Sequence, residues 1–388
     1  MNILFFTEIS PFPIHGGERI RSYGLLKALS ELGHNITAVI QNSDKIDLVN
    51  YKIKNVEYKE YNISKNSIFN HFLCLHYFEK DKYIISLFDQ IINSQKIDLV
   101  FLDYAFIGQY ISFFKQKKIP VIYGTHNAQS FLTQQMPVKG FLKKLRKMQN
   151  VCMQKIHERL YFKNANQVIV VSEEDKKSHS SFITSEKIQI IPNFLDETRY
   201  NNDSYKKENY IVMTANFGAF MNQNGLKWFI EEVWDEELDS KLKFIIVGRN
   251  SKEALAKINN SKLFNNIIAI GEVNNINPYI AKAKASVIPL IEGSGSRLKC
   301  IEAMALKTLV ISTSKGAEGI KSNNIIINDS PIDFRKTLLN IDNIAISEEL
   351  LYNEFISSYS IQAIKPKLKD TIYRALKDKK KQHKEGKE

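Results

Sequence analysis

One unit recurs along nearly the whole chain and restricts what it can fold into. A short apolar run is followed by a turn of small or polar residues, then by apolar positions at helical spacing. Residues 2–9 are densely apolar, as a central parallel strand must be. Residues 10–18, Ser-Pro-Phe-Pro-Ile-His-Gly-Gly-Glu, hold two prolines and two glycines and read as a loop. From Arg19 to Leu32, Ile20, Tyr23, Leu26 and Leu29 share one helical face, and Gly33 ends the helix. Residues 34–41 return as a strand. This β–loop–α–β opening is the first half of a doubly wound sheet.

The unit continues. Strands are predicted at 98–103, 120–124, 167–172 and 188–191, with helices to about residue 118 and over 173–182. Residues 197–208 are polar and suit an interdomain linker. Beyond it come strands at 210–216, 243–248, 266–270, 285–290 and 308–313, with helices at 225–237, 251–259 and 277–284. Two domains suit 388 residues better than one core does. The expected fold is α/β, with two Rossmann-like doubly wound parallel sheets facing across a cleft. Loops at the carboxyl ends of the strands then form the binding edge.

The most informative loop is Pro289-Leu-Ile-Glu-Gly-Ser-Gly-Ser-Arg-Leu-Lys-Cys-Ile-Glu-Ala-Met-Ala305. It reads as strand, glycine turn and helix, with Leu298, Ile301, Met304 and Ala305 at helical spacing. Backbone N–H groups and the positive end of a helix dipole there suit an anion. Arg297 and Lys299 add two charges in the first turn, and Glu302 can accept hydrogen bonds from sugar or ribose hydroxyls. A surface pair between Lys299 and Glu302 on an ordinary strand–turn–helix is the plainer reading.

Composition narrows the classes. The chain is 44% hydrophobic and 11% aromatic, which is globular. Its start lacks a basic segment and cleavage site, so it reads as a strand and not as a signal peptide. No run is long enough to span a bilayer. Cys74, Cys152 and Cys300 are far apart and give neither a disulfide framework nor a zinc spacing, and a reducing cytoplasm is expected. The formal charge of +12 fits an anionic partner: nucleotide phosphates, a membrane surface or nucleic acid. Residues 139–159 place Phe141, Leu145, Met148, Cys152 and Ile156 on one face, with six lysines and arginines elsewhere. Such a helix lies on an anionic membrane or docks on a core with its charged face solvated. Residues 377–388 read as a basic flexible tail. Phe69, Phe72, Tyr77 and Phe78 suit either core or an acceptor groove.

Taken in order, these motifs resemble the GT-B glycosyltransferases of the retaining group 1 or family 4 type. The match runs through Pro11-x-Pro13, Gly16-Gly17, Arg21, Gly33-His34, His126-Asn127, Val171-Ser172, Ile191-Pro192-Asn193 and Asp196. It continues through Gly218, Asn224, Trp228-Phe229, Val247-Gly248 and the Gly293–Ala303 motif. The resemblance implies a metal-independent, cofactor-free retaining transfer of a sugar from a UDP- or GDP-linked donor to an acceptor hydroxyl in bacterial surface glycan synthesis. Residues 1–200 would present a glycan, lipid-linked or protein acceptor, and residues 201–355 would hold the nucleotide-sugar. A helix at 356–376 would return to the first domain.

On the same basis, Glu302 takes the donor ribose, His126 positions the transferred sugar, and Gly16 and Gly17 admit the donor phosphates. Gly218, Glu292, Gly293, Ser294, Gly295, Gly316, Glu318 and Gly319 complete the expected donor site. No Asp-x-Asp metal motif occurs. Two features depart from the family. The loop Phe217–Asn224 lacks the family's arginine and lysine, a role Arg297 and Lys299 are expected to fill. Glu292 lies ten residues before Glu302 where the family's first glutamate lies eight before. An inactive GT-B scaffold subunit is the rival reading. Nucleic acid is not expected as a partner, because no stacking platform or recognition motif accompanies the charge.

Overall fold

A computed structural model of the chain describes residues 1–42, 46–61, 74–126, 129–200, 205–258, 264–293 and 297–385, with the side chains of residues 75 and 379–385 excepted. Phe69, Phe72, Asn127, Ser294 and Gly295, singled out above, lie outside these residues, as do residues 201–204 of the expected linker. The chain divides into two compact units, one of residues 1–194 and 361–388, the other of residues 195–360.

The first unit is built on seven parallel strands: β1 (Asn2–Thr7), β2 (Asn35–Gln41), β3 (Val56–Tyr61), β4 (Leu99–Asp103), β5 (Val121–Gly124), β6 (Gln167–Val170) and β7 (Ile188–Ile190). Their order is β3-β2-β1-β4-β5-β6-β7, so the order reverses between β1 and β4. The central strands are apolar throughout because both faces are covered. Leu4, Phe6, Val100 and Leu102 enter one buried cluster, while Ile3, Phe5, Leu99 and Phe101 enter the other.

Among the described residues, six helices belong to the loops of this sheet: α1 (Gly17–Glu31), α2 (Lys82–Ser94), α3 (Ile111–Gln116), α4 (Gln129–Gln135), α5 (Phe141–Asn164) and α6 (Glu173–His179). Helix α1 buries Leu25, Leu26, Ala28 and Leu29 and stops at Gly33, whose φ of 82° only glycine adopts readily. At Gly24 a Cβ would sit 2.9 Å from the Phe194 ring, so the missing side chain lets that ring close on the helix.

Helix α5 does not dock by its apolar stripe, one of the two readings its sequence allowed. Phe141, Leu145, Met148, Cys152 and Ile156 are exposed, while Gln154, His157, Glu158 and Phe162 are buried. Polar partners explain the rotation: Ser130 of α4 donates to Glu158 through its backbone N (3.1 Å) and Oγ (2.6 Å), and Gln154 donates to the Tyr77 hydroxyl. Those bonds satisfy groups that burial would otherwise strand.

The second unit holds six parallel strands: β8 (Glu208–Thr214), β9 (Lys243–Val247), β10 (Ile267–Gly271), β11 (Ala283–Ile288), β12 (Leu309–Ser312) and β13 (Ile326–Ile327). Their order, β10-β9-β8-β11-β12-β13, reverses between β8 and β11. Its helices are α7 (Phe220–Trp228), α8 (Glu236–Lys241), α9 (Ser251–Ala256), α10 (Asn277–Ala281), α11 (Leu298–Ala305), α12 (Pro331–Leu339) and α13 (Glu348–Tyr359).

Helix α7 starts five residues before the predicted Gly225 and widens into a π turn at Phe229–Val233. The widened turn seats Phe229 against Phe244 and Phe334 in the core. Gly225 lies inside α7 because a Cβ there would sit 2.7 Å from the Pro289 carbonyl oxygen. The last helix, α14 (Ile361–Glu385), belongs to the first unit and packs on α1. It buries Ile361, Ile364, Leu368, Ile372 and Ala375 and runs past Lys377, where the sequence reading begins a flexible tail.

Candidate functional site

In the second unit the predicted donor residues gather around α11. Arg297 is its N-cap and is 7% exposed. Its Nε donates to the Lys315 carbonyl (3.0 Å), and a terminal nitrogen donates to Glu318 Oε2 (3.2 Å). Lys315 Nζ donates to the other Glu318 oxygen at 2.9 Å. The loop after β12 is thereby bound to the start of α11. Gly316 makes this approach feasible, since a Cβ there would meet the Ile288 carbonyl oxygen at 2.1 Å. Gly319 follows at a φ of 80°.

Lys299 turns the other way, and its Nζ donates to Asn222 Oδ1 at 2.8 Å. Asn222, buried on α7, in turn donates to the Asn216 carbonyl in the loop after β8. Two binding loops at the β8/β11 switch are thus joined through one lysine and one asparagine. Lys299 is half-buried, and its pKa is lowered to about 8, by burial first and by neighbouring Arg297 second. Burial also lowers Arg297, with Glu318 opposing the change. Glu302 shows the reverse: burial lifts its carboxyl to about 7, with Lys299, Tyr200 and Arg199 pulling it down. Its hydrogen bond from the Tyr200 hydroxyl is long, at 3.5 Å. Lys299 and Glu302 do not close the surface ion pair of the plainer reading, so the carboxylate keeps its acceptor capacity.

The remaining donor candidates lie toward α7. Glu292 accepts from Asn224 Nδ2. Gly293, at a φ of 100°, leaves room for Met221, whose sulfur would lie 2.8 Å from a Cβ. Gly218 donates its N–H to Asn216 Oδ1 at 2.9 Å. Sequence reasoning missed Asn222 and Tyr200. Asn222 stands in the loop where cations were sought, and a neutral amide carries no charge signal.

The first unit carries the other predicted residues. Gly16, at a φ of 78° with open space where a Cβ would be, caps α1, and Gly17 begins it. His126, two residues beyond β5, is 5% exposed, and its Nε2 lies 3.0 Å from Asp103 Oδ1. Asp103 ends β4, is fully buried, and accepts from Ser22 Oγ at 2.6 Å on its other oxygen. Burial raises the Asp103 pKa, but His126, Ser22 and Arg21 outweigh burial and hold it below the usual carboxylate range. Arg21, 1% exposed, donates to the carbonyls of Pro192 and Ile191 and to Asn193 Oδ1, each at 3.1 Å. The sequence marks Arg21 and Asn193 through the resemblance; Asp103 reads there only as a strand end. Glu8, just after β1, was also missed; burial lifts its carboxyl to about 7.

Comparison with known proteins bears on family and fold. The family model Glycosyltransferase Family 4 matches residues 15–199, and the model Glycosyl transferases group 1 matches residues 208–341. A Klebsiella pneumoniae protein described as an uncharacterized 44.6 kDa protein in the cps region is 22% identical, over 91% of this chain and 94% of its own. A glycosyltransferase from Rickettsia africae superposes with a TM-score of 0.65 at 19% identity, covering 97% of this chain and 98% of its own. The Anabaena protein HepE, solved with UDP, gives a TM-score of 0.65 at 13% identity, covering 96% and 100%. At such identities the structures establish a common fold, GT-B. The matched models cover both units, and the chain belongs to the group 1, family 4 type of glycosyltransferases.

Proposed function

We propose that this glycosyltransferase of glycan biosynthesis transfers a sugar with retention from a UDP- or GDP-linked donor to an acceptor hydroxyl, without a metal ion. The observation that carries the reading is the start of α11, where Arg297, Lys299 and Glu302 stand within two turns at a sheet's switch point. A diphosphate that departs with negative charge is stabilised by fixed cations and backbone N–H groups. Lys299 and the N-terminal amides of α11 supply that stabilisation in this reading. Arg297 acts more as the brace between α11 and Glu318, so its part in the missing family cation pair is indirect. Glu302 accepts from the ribose hydroxyls. In the first unit, His126 positions the transferred sugar and the Gly16-Gly17 turn admits the phosphates. The unit takes a glycan, lipid-linked or protein acceptor.

The outward face of α5 supports a cytoplasmic enzyme resting on the inner membrane surface. Phe141, Leu142 and Met148 are 75%, 79% and 68% exposed, beside Lys139, Lys143, Lys144 and Lys147. Apolar contact and attraction to anionic headgroups act together on such a face. Among the described residues no helix is long and apolar enough to cross a membrane.

Thermal unfolding with UDP, GDP, ADP and CMP, with and without a chelator, tests the donor site. A nucleotide at a hundred times its Kd adds about 2.7 kcal/mol. The expected result is a rise with one nucleotide, unaffected by the chelator and lost in Glu302→Ala. No rise with any of them, or a rise that the chelator abolishes, would overturn the reading. Proton NMR of the product's anomeric centre tests retention.

A further inference from the structure

We propose that Asp103 is a positioning residue that fixes the proton of the neutral His126 ring on Nε2 and leaves Nδ1 as the acceptor for a substrate hydroxyl. The argument begins with the strand register. Asp103 and Gly124 face each other as the last residues of β4 and β5. A Cβ at Gly124 would lie 3.3 Å from Asp103 Oδ1. Glycine there keeps the side of that oxygen clear, and the chain then turns His126 onto it at 3.0 Å.

An ionised carboxylate only accepts, so the ring nitrogen that meets it must be the donor. With the ring neutral, Asp103 is still held as a carboxylate by the hydrogen bonds from Ser22 Oγ and the His126 ring and by the charge of the buried Arg21 guanidinium. Its two oxygens are divided, with Ser22 on one and His126 on the other. The carboxylate therefore has little freedom to rotate away. Tyr104 meets the imidazole edge to face, with ring centroids 5.8 Å apart, and limits its tilt.

With the proton on Nε2, Nδ1 carries the lone pair. That atom is buried and has no hydrogen-bond partner among the described residues. Leaving such an atom unpaired costs about 1–3 kcal/mol. A sugar hydroxyl that donates to it relieves the cost, and a deoxy analogue does not. The substrate part of this inference rests on the glycosyl-transfer reading, whereas the tautomer part stands on the geometry alone.

Nitrogen-15 NMR of the histidine-labelled protein, with His126→Gln to assign the ring, separates the two parts. At alkaline pH the ring is neutral, and the wild type should show a pyrrole-like Nε2 and a pyridine-like Nδ1. A pyrrole-like Nδ1 overturns the proposal. In Asp103→Ala the preference should be lost, with both tautomers populated and kcat falling at least tenfold. The KM for the nucleotide-sugar should stay within twofold. An unchanged tautomer in that variant also overturns it. Should Asp103→Ala fail to fold, Ser22→Ala serves: Asp103 keeps its His126 contact, and the Nε2 proton should remain. Correct tautomers in a protein without transferase activity would sink the functional reading and the substrate part with it, and leave the tautomer part standing.

Discussion

Replacing Glu302 with glutamine should make the unliganded protein more stable above pH 7 while it abolishes nucleotide binding. Burial raises this carboxyl from its ordinary 4.5 to about 7. The folded protein therefore holds the proton more tightly than the unfolded chain does. Stability then falls as pH rises from 4.5 towards 7, and the deficit is complete above 7. The full displacement is worth roughly 3 kcal/mol. Glu302 is half-buried, and its loss also removes an attraction that favours charged Lys299, so the net gain is about 1–3 kcal/mol.

Neutral glutamine keeps the shape and the bond to Tyr200 but carries no such deficit. In thermal scans, each kcal/mol shifts Tm by ~2–4 °C for a unit of this size. The variant should melt roughly 2–12 °C above the wild type at pH 8, and the difference should vanish near pH 4. Equal melting of the two proteins at pH 8 would refute the assignment, and so would a gain of the same size at both pH values. A rise at pH 8 with nucleotide binding intact would show that Glu302 is buried but does not serve the ligand.

Other substitutions probe separate contacts. Gly316→Ala places a Cβ against the Ile288 carbonyl and should cost about 1–3 kcal/mol in urea unfolding, with weaker nucleotide binding because Arg297 loses its Lys315 carbonyl. Arg21→Met should cost about 1–3 kcal/mol, since it takes their buried donor from the Ile191 and Pro192 carbonyls and from Asn193; unchanged stability in urea unfolding would contradict the network around Arg21. Lys299→Met should lower nucleotide affinity at least tenfold and change stability little, as Lys299 is itself held at about 8 by burial. Leu145→Glu with Met148→Glu should stop flotation with anionic vesicles and leave Tm nearly unchanged, because surface replacements stay within about 0.5 kcal/mol.

What the sequence discloses, and what it hides, follows from range. Strands β1 and β4 are legible because a strand buried on both faces is apolar through its middle, and β11 because its second half, Val287-Ile288, runs apolar into Pro289-Leu290. Gly33 marks the end of α1 and Gly16 its start, since each needs a positive φ. The Gly293–Glu302 motif is equally local, and so its glycine turn and helix could be read in advance. Strand β3 was missed because Val56-Glu-Tyr-Lys-Glu-Tyr61 is an edge strand, polar at alternate positions. The sequence left the face of α5 open between membrane and core because its orientation depends on Ser130 and Tyr77, which make burial of Glu158 and Gln154 possible. Periodicity alone leaves the apolar stripe to membrane or core.

The hidden residues have one property in common. Asp103 lies 81 positions from Ser22 and 23 from His126, and Asn222 lies 77 from Lys299. Each contact is made by a parallel sheet that brings distant strand ends to one edge. A motif records the residues on one loop of that edge and cannot show which loop faces it. Both edges nonetheless follow one rule. The charged group that a motif displays is paired, at the neighbouring strand or helix, with a polar partner that burial has made costly to lose: Arg297 with Glu318, Lys299 with Asn222, His126 with Asp103. Such partners hold the displayed group in one orientation before substrate arrives, and preorganisation of that kind is what lets fixed charges act on a transition state. On the proposed reading, then, Asn222 and Asp103 bear on the chemistry as much as the residues that the motifs announce.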